Sequence, residues 1–145
     1  MQYEMLTSKI IGCAMKVHRT LGNGFQEVIY QRALEIEMKS ANLNFAREME
    51  MPIFYKNIKI GTRRVDFFVE NSIMVELKAL IALERVHLSQ AKNYLEAYKI
   101  PIGLLINFGS TELEFKRVHI DKPIPRNRNI KCEIGKIGES GESGF

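Results

Sequence analysis

Residues 63–80, RRVDFFVENSIMVELKAL, carry the pattern of two β-strands joined by a turn. Apolar residues occupy alternate positions on both sides of the segment ENS, and a period of two is typical of strands. Three charged residues, Asp66, Glu76 and Lys78, stand where a covered sheet would carry apolar side chains. Burying a charge is unfavourable unless it is paired, so this hairpin decides the fold and indicates where a functional site would lie.

The turn predicts which of these charged residues face each other. If the hairpin pairs symmetrically about Asn71, positions 66 and 76 are opposite, with Cβ atoms roughly 4.5–5.5 Å apart. Two ionised carboxylates at that separation repel each other, and a divalent cation between them would remove the repulsion. Glu76 and Lys78 are two residues apart and therefore share a face. The alternative is a solvent-facing ladder of salt bridges, which such a trio forms more often than a site.

The rest of the chain changes between helical and extended patterns. The predicted order is helix, helix, several antiparallel strands, helix, strand and strand, which indicates an α/β or α+β domain around a mixed sheet. In chain order we predict a helix through Ile10–Leu21 that ends at LGNGF, a second helix from about Gln26 to Ser40, a loop at ANLNF, a strand and turn within MPIFYKNIKI (51–60), the two strands of 63–80, a third helix from Glu84 to Lys99, and strands at IGLLINF and ELEFKRV.

Composition limits the class of protein. The 145 residues are 46% hydrophobic and 26% charged, as is typical of one globular domain. The net charge of +4 and the pI of about 9.1 permit an anionic partner without requiring one. The N-terminal residues lack a signal-peptide pattern, no run approaches the roughly 20 apolar residues of a membrane span, and the two cysteines match no metal or redox spacing. We therefore expect a cytoplasmic protein that binds no membrane.

A change in composition divides the chain near residue 122. The residues that follow are rich in Gly, Ser, Pro and charge, and this composition is typical of disordered segments. We predict a folded domain over residues 1–122 and a flexible tail over residues 123–145. Deletion of the residues after about 125 is expected to leave the domain folded.

Two predicted helices carry polar residues on the side that faces the core. Glu27 and Tyr30 lie on the apolar stripe of the second helix, where a first-turn glutamate also favours the helix dipole. Gln90 and Tyr94 are one turn apart on the third helix and share a face. Ordinary amphipathic packing would explain both patterns, so they gain meaning only in combination with the hairpin.

In combination, the charged hairpin and the third helix resemble the PD-(D/E)XK nuclease superfamily. Its pattern is an acidic residue on one strand, Glu-x-Lys on the next, and in some members Gln-x-x-x-Tyr on a later helix. The corresponding residues here are Asp66, Glu76, Lys78, Gln90 and Tyr94.

A narrower resemblance is to the bacterial GxxExxY family. Gly24, Glu27 and Tyr30 reproduce the spacing of its name, and the segments VELKAL, HLSQAKNYL and GLLINFG look like its later motifs. The resemblance covers roughly residues 8–120, and five motifs in one order are far more specific than a lone Glu-x-Lys.

The resemblance implies a fold and an activity. The fold would be a restriction-endonuclease-like core, in which helices flank a central mixed β-sheet. The activity would be that of a nuclease, a hydrolase of phosphodiester bonds that needs Mg²⁺ or Mn²⁺ and acts on nucleic acid, on DNA before RNA. Because many nucleases of this fold act as dimers, a homodimer is among the states the resemblance implies.

It also implies roles for individual residues. Asp66 and Glu76 would hold the cation together with the backbone carbonyl of Leu77, and Glu27 would add a carboxylate that acts in metal binding or catalysis. Lys78 would orient the attacking water or stabilise charge on the phosphate.

The remaining implied roles concern the substrate. Gln90 would fix the water or the substrate backbone, and Tyr94 would pack beneath it. Four basic residues are candidate phosphate contacts, and the first ranks highest because alternation should place it on the face of Asp66. In order they are Arg64, Arg63, Arg85 and Lys92.

A second interpretation stays open because one fold hosts many functions. The chain could be a catalytically silent module that keeps the nuclease fold and binds nucleic acid or another protein. Metal-stimulated cleavage would separate the two, since binding by a silent module survives removal of the metal.

Overall fold

Two helices open the chain, and a sheet crossed by a third helix follows. The computed structural model describes residues 2–120, 131–133 and 139–140. Its elements are α1 (Gln2–Leu21), α2 (Glu27–Ser40), β1 (Phe45–Tyr55), β2 (Ile58–Val69), β3 (Ile73–Lys78), α3 (Arg85–Tyr98), β4 (Ile102–Asn107), β5 (Glu114–His119), β6 (Lys131–Glu133) and β7 (Glu139–Ser140).

The first five strands form one mixed sheet, in the order β1-β2-β3-β4-β5. β3 and β4 are parallel, and the other neighbouring strands are antiparallel. A parallel pair needs a crossover connection, which α3 supplies. The predicted class, a mixed sheet flanked by helices, is therefore confirmed as α+β. β6 and β7 pair with each other in a separate two-stranded sheet.

Most element boundaries agree with the sequence patterns to within two residues, but those of α1 and β2 do not. α1 begins at Gln2, eight residues before the predicted apolar stripe, and β2 runs unbroken from Ile58 to Val69. β1 begins at Phe45, the last residue of the segment predicted as a loop that leads to an extended region. The Phe45 ring packs edge-on against Phe67 of β2, with ring centroids 5.4 Å apart. A tertiary contact therefore extends the strand into polar sequence in which no alternation is visible.

The predicted tail, residues 123–145, falls largely outside the described residues. Only β6 and β7 belong to the described part of it, and its flexibility stays a prediction. Among the helices of the described ranges, none is both long and apolar enough to span a bilayer.

Both faces of the central sheet are covered. α1 and α2 pack on one face, in a buried cluster that includes Leu34 and Val75. α3 covers the other face, in a second cluster that includes Met74 and Leu95. Consecutive residues of β3 therefore enter opposite clusters, which leaves Glu76 buried and Lys78, at the end of the strand, half-buried.

The hairpin of β2 and β3 has the predicted register. Phe67 pairs with Val75 and Val69 with Ile73, which is symmetric about Asn71. The turn places Glu70 and Asn71 at φ angles of 52° and 54°, the left-handed conformation that tight hairpin turns use. Pairing stops at Phe67 and Val75, so the ladder ends one step before positions 66 and 76 would meet.

The alternation of β2 breaks where the ladder ends. Val65 belongs to the cluster beneath α3, whereas Phe67 belongs to the cluster beneath α1 and α2. Residues two apart on a regular strand share a face, so the strand turns over between these two. Glu48, which the register would place opposite Asp66, has a φ of 55° and does not pair with it. Asp66 therefore lies at an irregular point of β2, between the two faces of the sheet.

Candidate active site

Asp66 fills the gap that the end of the ladder leaves between β2 and β3. Its Oδ2 accepts a hydrogen bond of 2.8 Å from the backbone N–H of Leu77. Its Oδ1 accepts a second, also of 2.8 Å, from the side chain of Gln31 on α2. Burial raises the pKa of the Asp66 carboxyl, and these two donors, together with the Arg63 charge, oppose the rise. The side chain is thus held in one orientation by a strand and a helix.

Glu76 lies close enough to Asp66 for their charges to interact, and it is almost completely buried, with 6% of its surface exposed. Burial raises its pKa from 4.5 to about 8, the nearby Arg63 guanidinium lowers it, and the Asp66 carboxyl raises it further. Arg63 Nη2 lies 3.0 Å from Glu76 Oε2. That contact has the geometry of an ion pair, and Oε2 accepts no hydrogen bond from any described residue. The two carboxyls are therefore neighbours, as predicted, although residues 66 and 76 do not pair in the ladder.

Glu27 and Lys78 complete the charged group from two directions. Glu27 is the first residue of α2, and Lys78 is the last residue of β3. The Glu27 side chain is exposed, yet the surrounding protein raises its pKa, and the charge of Asp66 adds to the effect. The charge of Lys78 lowers the pKa of both Glu27 and Glu76. Each of these four side chains thus lies within electrostatic range of two of the others.

The GxxExxY spacing has a structural explanation around Tyr30. Its hydroxyl donates a hydrogen bond of 2.5 Å to the carbonyl of Gly22 and accepts one of 3.1 Å from the N–H of Phe25. The ring stacks on Phe108 of the loop after β4, with centroids 4.6 Å apart. Tyr30 therefore fixes the loop that precedes α2, and this loop places Glu27 at the start of the helix.

The two residues predicted on α3 have different surroundings. Tyr94 is buried, and the Arg63 guanidinium lies over its ring at 4.2 Å from the centroid. Burial raises the pKa of Tyr94 to about 12, although the charge of Arg63 lowers it. Gln90 is half-buried one turn earlier, and its side chain makes no hydrogen bond with another residue of the described ranges. Tyr94 thus supports Arg63, and the role of Gln90 stays a prediction.

The arginine that reaches the carboxylates is Arg63. Alternation along β2 predicted that Arg64 would share the face of Asp66. Because the strand turns over at Asp66, residues two apart need not share a face there, and alternation does not support this prediction. Arg64 lies on the exposed surface and forms an ion pair with Glu50 of β1, with Nη2 and Oε2 3.2 Å apart. Arg85 is exposed at the start of α3, and Lys92 is half-buried on the same helix. Whether these residues contact phosphate stays a prediction.

Sequence reasoning missed two residues that hold Asp66 in place. Gln31 is 4% exposed, and its Oε1 accepts a hydrogen bond of 3.2 Å from Arg47 Nη1. Arg47 Nε in turn lies 3.5 Å from a carboxylate oxygen of Glu35. Gln31 follows Glu27 by four residues and so shares its helix face, which was the available signal. No sequence pattern pointed to Arg47.

The donor set suits a hard divalent cation. Carboxylate oxygens are the ligands that Mg²⁺ and Mn²⁺ prefer, and the buried Oε2 of Glu76 lacks a hydrogen-bond donor within the described ranges. Burial raises the pKa values of Asp66, Glu76 and Glu27, and a bound cation would oppose this rise. In the described part of the chain, however, no three acidic, histidine or cysteine side chains are arranged as a ready ligand cluster. Asp66 and Glu76 thus fit as a pair, and a cation would draw in further oxygen ligands.

The similarity of this chain that bears on function is to a family model rather than to a single known protein. No curated protein matches the chain. The crystal structure of SSO0001 shows partial similarity, with 20% sequence identity and a TM-score of 0.49 over 67% of this chain and 50% of that chain. The chain therefore spans about half the length of that protein. The sequence model described as the PD-(D/E)XK nuclease superfamily matches residues 4–118, and the five-stranded mixed sheet with its helices is consistent with the fold of that superfamily. The chain belongs to the PD-(D/E)XK nuclease superfamily.

Proposed function

We propose that the protein is a metal-dependent nuclease of the GxxExxY type, which hydrolyses phosphodiester bonds in DNA in preference to RNA. The observation that carries the proposal is the proximity of Asp66 and Glu76, with Glu76 buried and Lys78 two residues further along the same strand. Two neighbouring carboxyls, one of them buried, inside a basic protein of this superfamily are better explained by a shared cation than by a surface salt bridge.

The residues would divide the work as follows. Asp66 and Glu76 would hold Mg²⁺ or Mn²⁺ with the Leu77 carbonyl, and Glu27 would add a carboxylate from α2. A bound cation of this kind lowers the pKa of water and polarises a phosphate. Lys78 would orient the attacking water and stabilise negative charge while the phosphorus is pentacovalent. The water oxygen would form the new bond to phosphorus and lose a proton to solvent, and the leaving sugar oxygen would take the electrons of the P–O bond that breaks together with a proton from solvent.

Calorimetric titration of Mn²⁺ and Mg²⁺ tests the shared cation. Wild type is compared with Asp66→Asn and with Glu4→Gln, a matched change at an exposed glutamate of α1. Binding should be lost in the first variant and kept in the second. The same samples are then assayed for cleavage of plasmid and of RNA, with Lys78→Ala expected to bind the cation without cleaving. A folded wild type that binds no cation would overturn the proposal.

One observation favours a second candidate, a module that binds nucleic acid or protein without turnover. Both Asp66 oxygens already accept hydrogen bonds, and Arg63 already lies against Glu76, so the group is partly satisfied without a cation. Nucleic-acid binding that persists in EDTA, with no cleavage under any divalent cation, would establish this candidate.

A further inference from the structure

The hairpin of β1 and β2 extends beyond its pairing with β3. Its ladder runs from Phe45–Val69 to Tyr55–Ile58, whereas β3 pairs with β2 only at residues 67–69. Ile58 lies eight positions before Asp66, so at about 3.3 Å per residue the hairpin reaches about 26 Å past the carboxylates. α3 covers the base of this extension, where Met51 is buried and the Tyr98 hydroxyl donates to the Pro52 carbonyl. We call residues 51–64 the arm.

The tip of the arm is tight and exposed. Lys56 and Asn57 have φ angles of 50° and 66°, as the central residues of a two-residue hairpin turn require. Residues 55–60 are all exposed, including Ile58 at 67% and Ile60 at 56%. Large apolar side chains that protrude together mark interaction surfaces more often than isolated ones do.

The charge of the arm has one sign. Between residues 51 and 64 the sequence has four basic residues and no carboxylate. Lys56 and Lys59 are at the tip, where no salt bridge to a described carboxylate is formed, while Arg63 and Arg64 are at the base. Positive charge that alternates with exposed apolar side chains complements a phosphate backbone and the grooves beside it.

The arm is also continuous with the candidate active site. Its base residue Arg63 contacts both Glu76 and the ring of Tyr94. A polymer lying along the arm would therefore bring a phosphate to the carboxylates. A two-stranded antiparallel ribbon is narrow enough to enter the major groove of a duplex. A single-stranded nucleic acid has no such groove.

We propose that the arm binds duplex nucleic acid beside the cleavage site, with Lys56 and Lys59 on phosphates and Tyr55, Ile58 and Ile60 against the groove. The inference rests on the proposed function only in taking nucleic acid as the class of substrate. It requires neither a bound cation nor turnover, so it can be tested where cleavage cannot occur.

The test measures binding of a labelled duplex in EDTA as a function of salt concentration. The arm variant is Lys56→Asn with Lys59→Thr, which removes two charges with residues that favour the turn and the strand. The control is Lys9→Gln with Lys16→Gln, two exposed lysines of α1. Since each phosphate contact contributes about 0.9 to the salt slope, the arm variant should lower the slope by about 1.8 and weaken binding about 10-fold or more near 0.1 M salt. The control variant should change the salt slope and the affinity by less than half as much as the arm variant does.

The following results would overturn the inference. Equal losses of affinity in both variants would assign binding to net charge. If neither variant lost affinity, the arm would have no part in recognition. The same would follow if wild type bound only single strands or bound no nucleic acid. A dimer in sedimentation that Ile58→Thr with Ile60→Thr dissolves, with duplex binding intact, would assign the tip to a second copy of this chain. Arm-dependent binding without cleavage by any cation would leave the inference standing and remove only the proposed nuclease activity.

Discussion

At the scale of single residues, the Asp66 carboxylate replaces a backbone hydrogen-bond acceptor. The N–H of Leu77 would pair with the β2 backbone if the ladder continued, and it donates instead to the Asp66 carboxylate. The strands can therefore separate without leaving a buried donor unsatisfied. The space that opens is occupied by the carboxyls of Asp66 and Glu76, so the same residue ends the ladder and builds the site.

The raised pKa of Glu76 predicts how stability depends on pH in metal-free protein. Its pKa is 4.5 when exposed and about 8 in the fold, so folding takes up a proton between those values. The contribution of this group is fully present below about pH 4.5 and is lost as the pH rises through about 8. Urea unfolding in EDTA across this range should show wild type losing stability that Glu76→Gln retains. Parallel profiles for the two proteins would contradict the prediction.

Gln31 predicts a separate effect on cation binding. Gln31→Met keeps the length of the side chain but removes the donor to Asp66 and the acceptor for Arg47. Loss of a partner that orients a metal ligand typically weakens metal affinity by about 10- to 100-fold. Mn²⁺ calorimetry should show a loss of this order, and Glu35→Gln, which changes only the outer ion pairs with Arg47 and Lys39, should show a smaller one. Equal affinity in Gln31→Met and wild type would limit Gln31 to packing.

At the scale of elements, the loops at the carboxyl ends of β3 and β4 hold each other in place. The buried Asn107 side chain accepts a hydrogen bond of 2.8 Å from the Leu80 N–H and donates one of 3.0 Å to the Leu80 carbonyl. It also bonds Glu114, whose carboxylate accepts from the N–H of Leu83. Lys78 is the last residue of β3 and directly precedes this network. The position of Lys78 therefore depends on these hydrogen bonds.

Gly109 gives the prediction at this scale. A Cβ at this position would overlap the backbone of Leu80, which cannot move without breaking its bonds to Asn107. Gly109→Ala should therefore destabilise the fold by about 1–3 kcal/mol, the usual cost of overpacking. Gly61→Ala, at a position with open space around it, is the matched control and should be nearly neutral. Thermal melts of the two variants measure the difference, and similar melting temperatures would contradict the proposed contact.

The sequence predicted the regular part of these elements and missed the irregular part. The register of β2 and β3 followed from a turn centred on Asn71, because local alternation and a short turn determine it. The break at Asp66 could not be predicted in this way, since it depends on which helix covers each side of β2. The same limit explains why Arg64 was ranked above Arg63, and why Arg47, whose partners lie on another element, was not identified.

At the scale of the whole molecule, the described domain is three layers with the site at one strand junction. α1 and α2 form one layer and α3 the other, and each contributes to the charged group between them. Gln31 reaches Asp66 from α2, and Tyr94 supports Arg63 from α3. The geometry of the carboxyls therefore depends on both layers, although both carboxyls belong to one hairpin.

The parallel pairing of β3 with β4 has a consequence for the order of folding. α1 with α2, and β1 through β3, are consecutive along the chain and can form from short-range contacts. β3 cannot pair with β4 until the chain has crossed through α3, and this closure is entropically slower. Glu76 becomes covered only when that crossing is complete, so desolvation of its carboxyl falls late on the folding pathway.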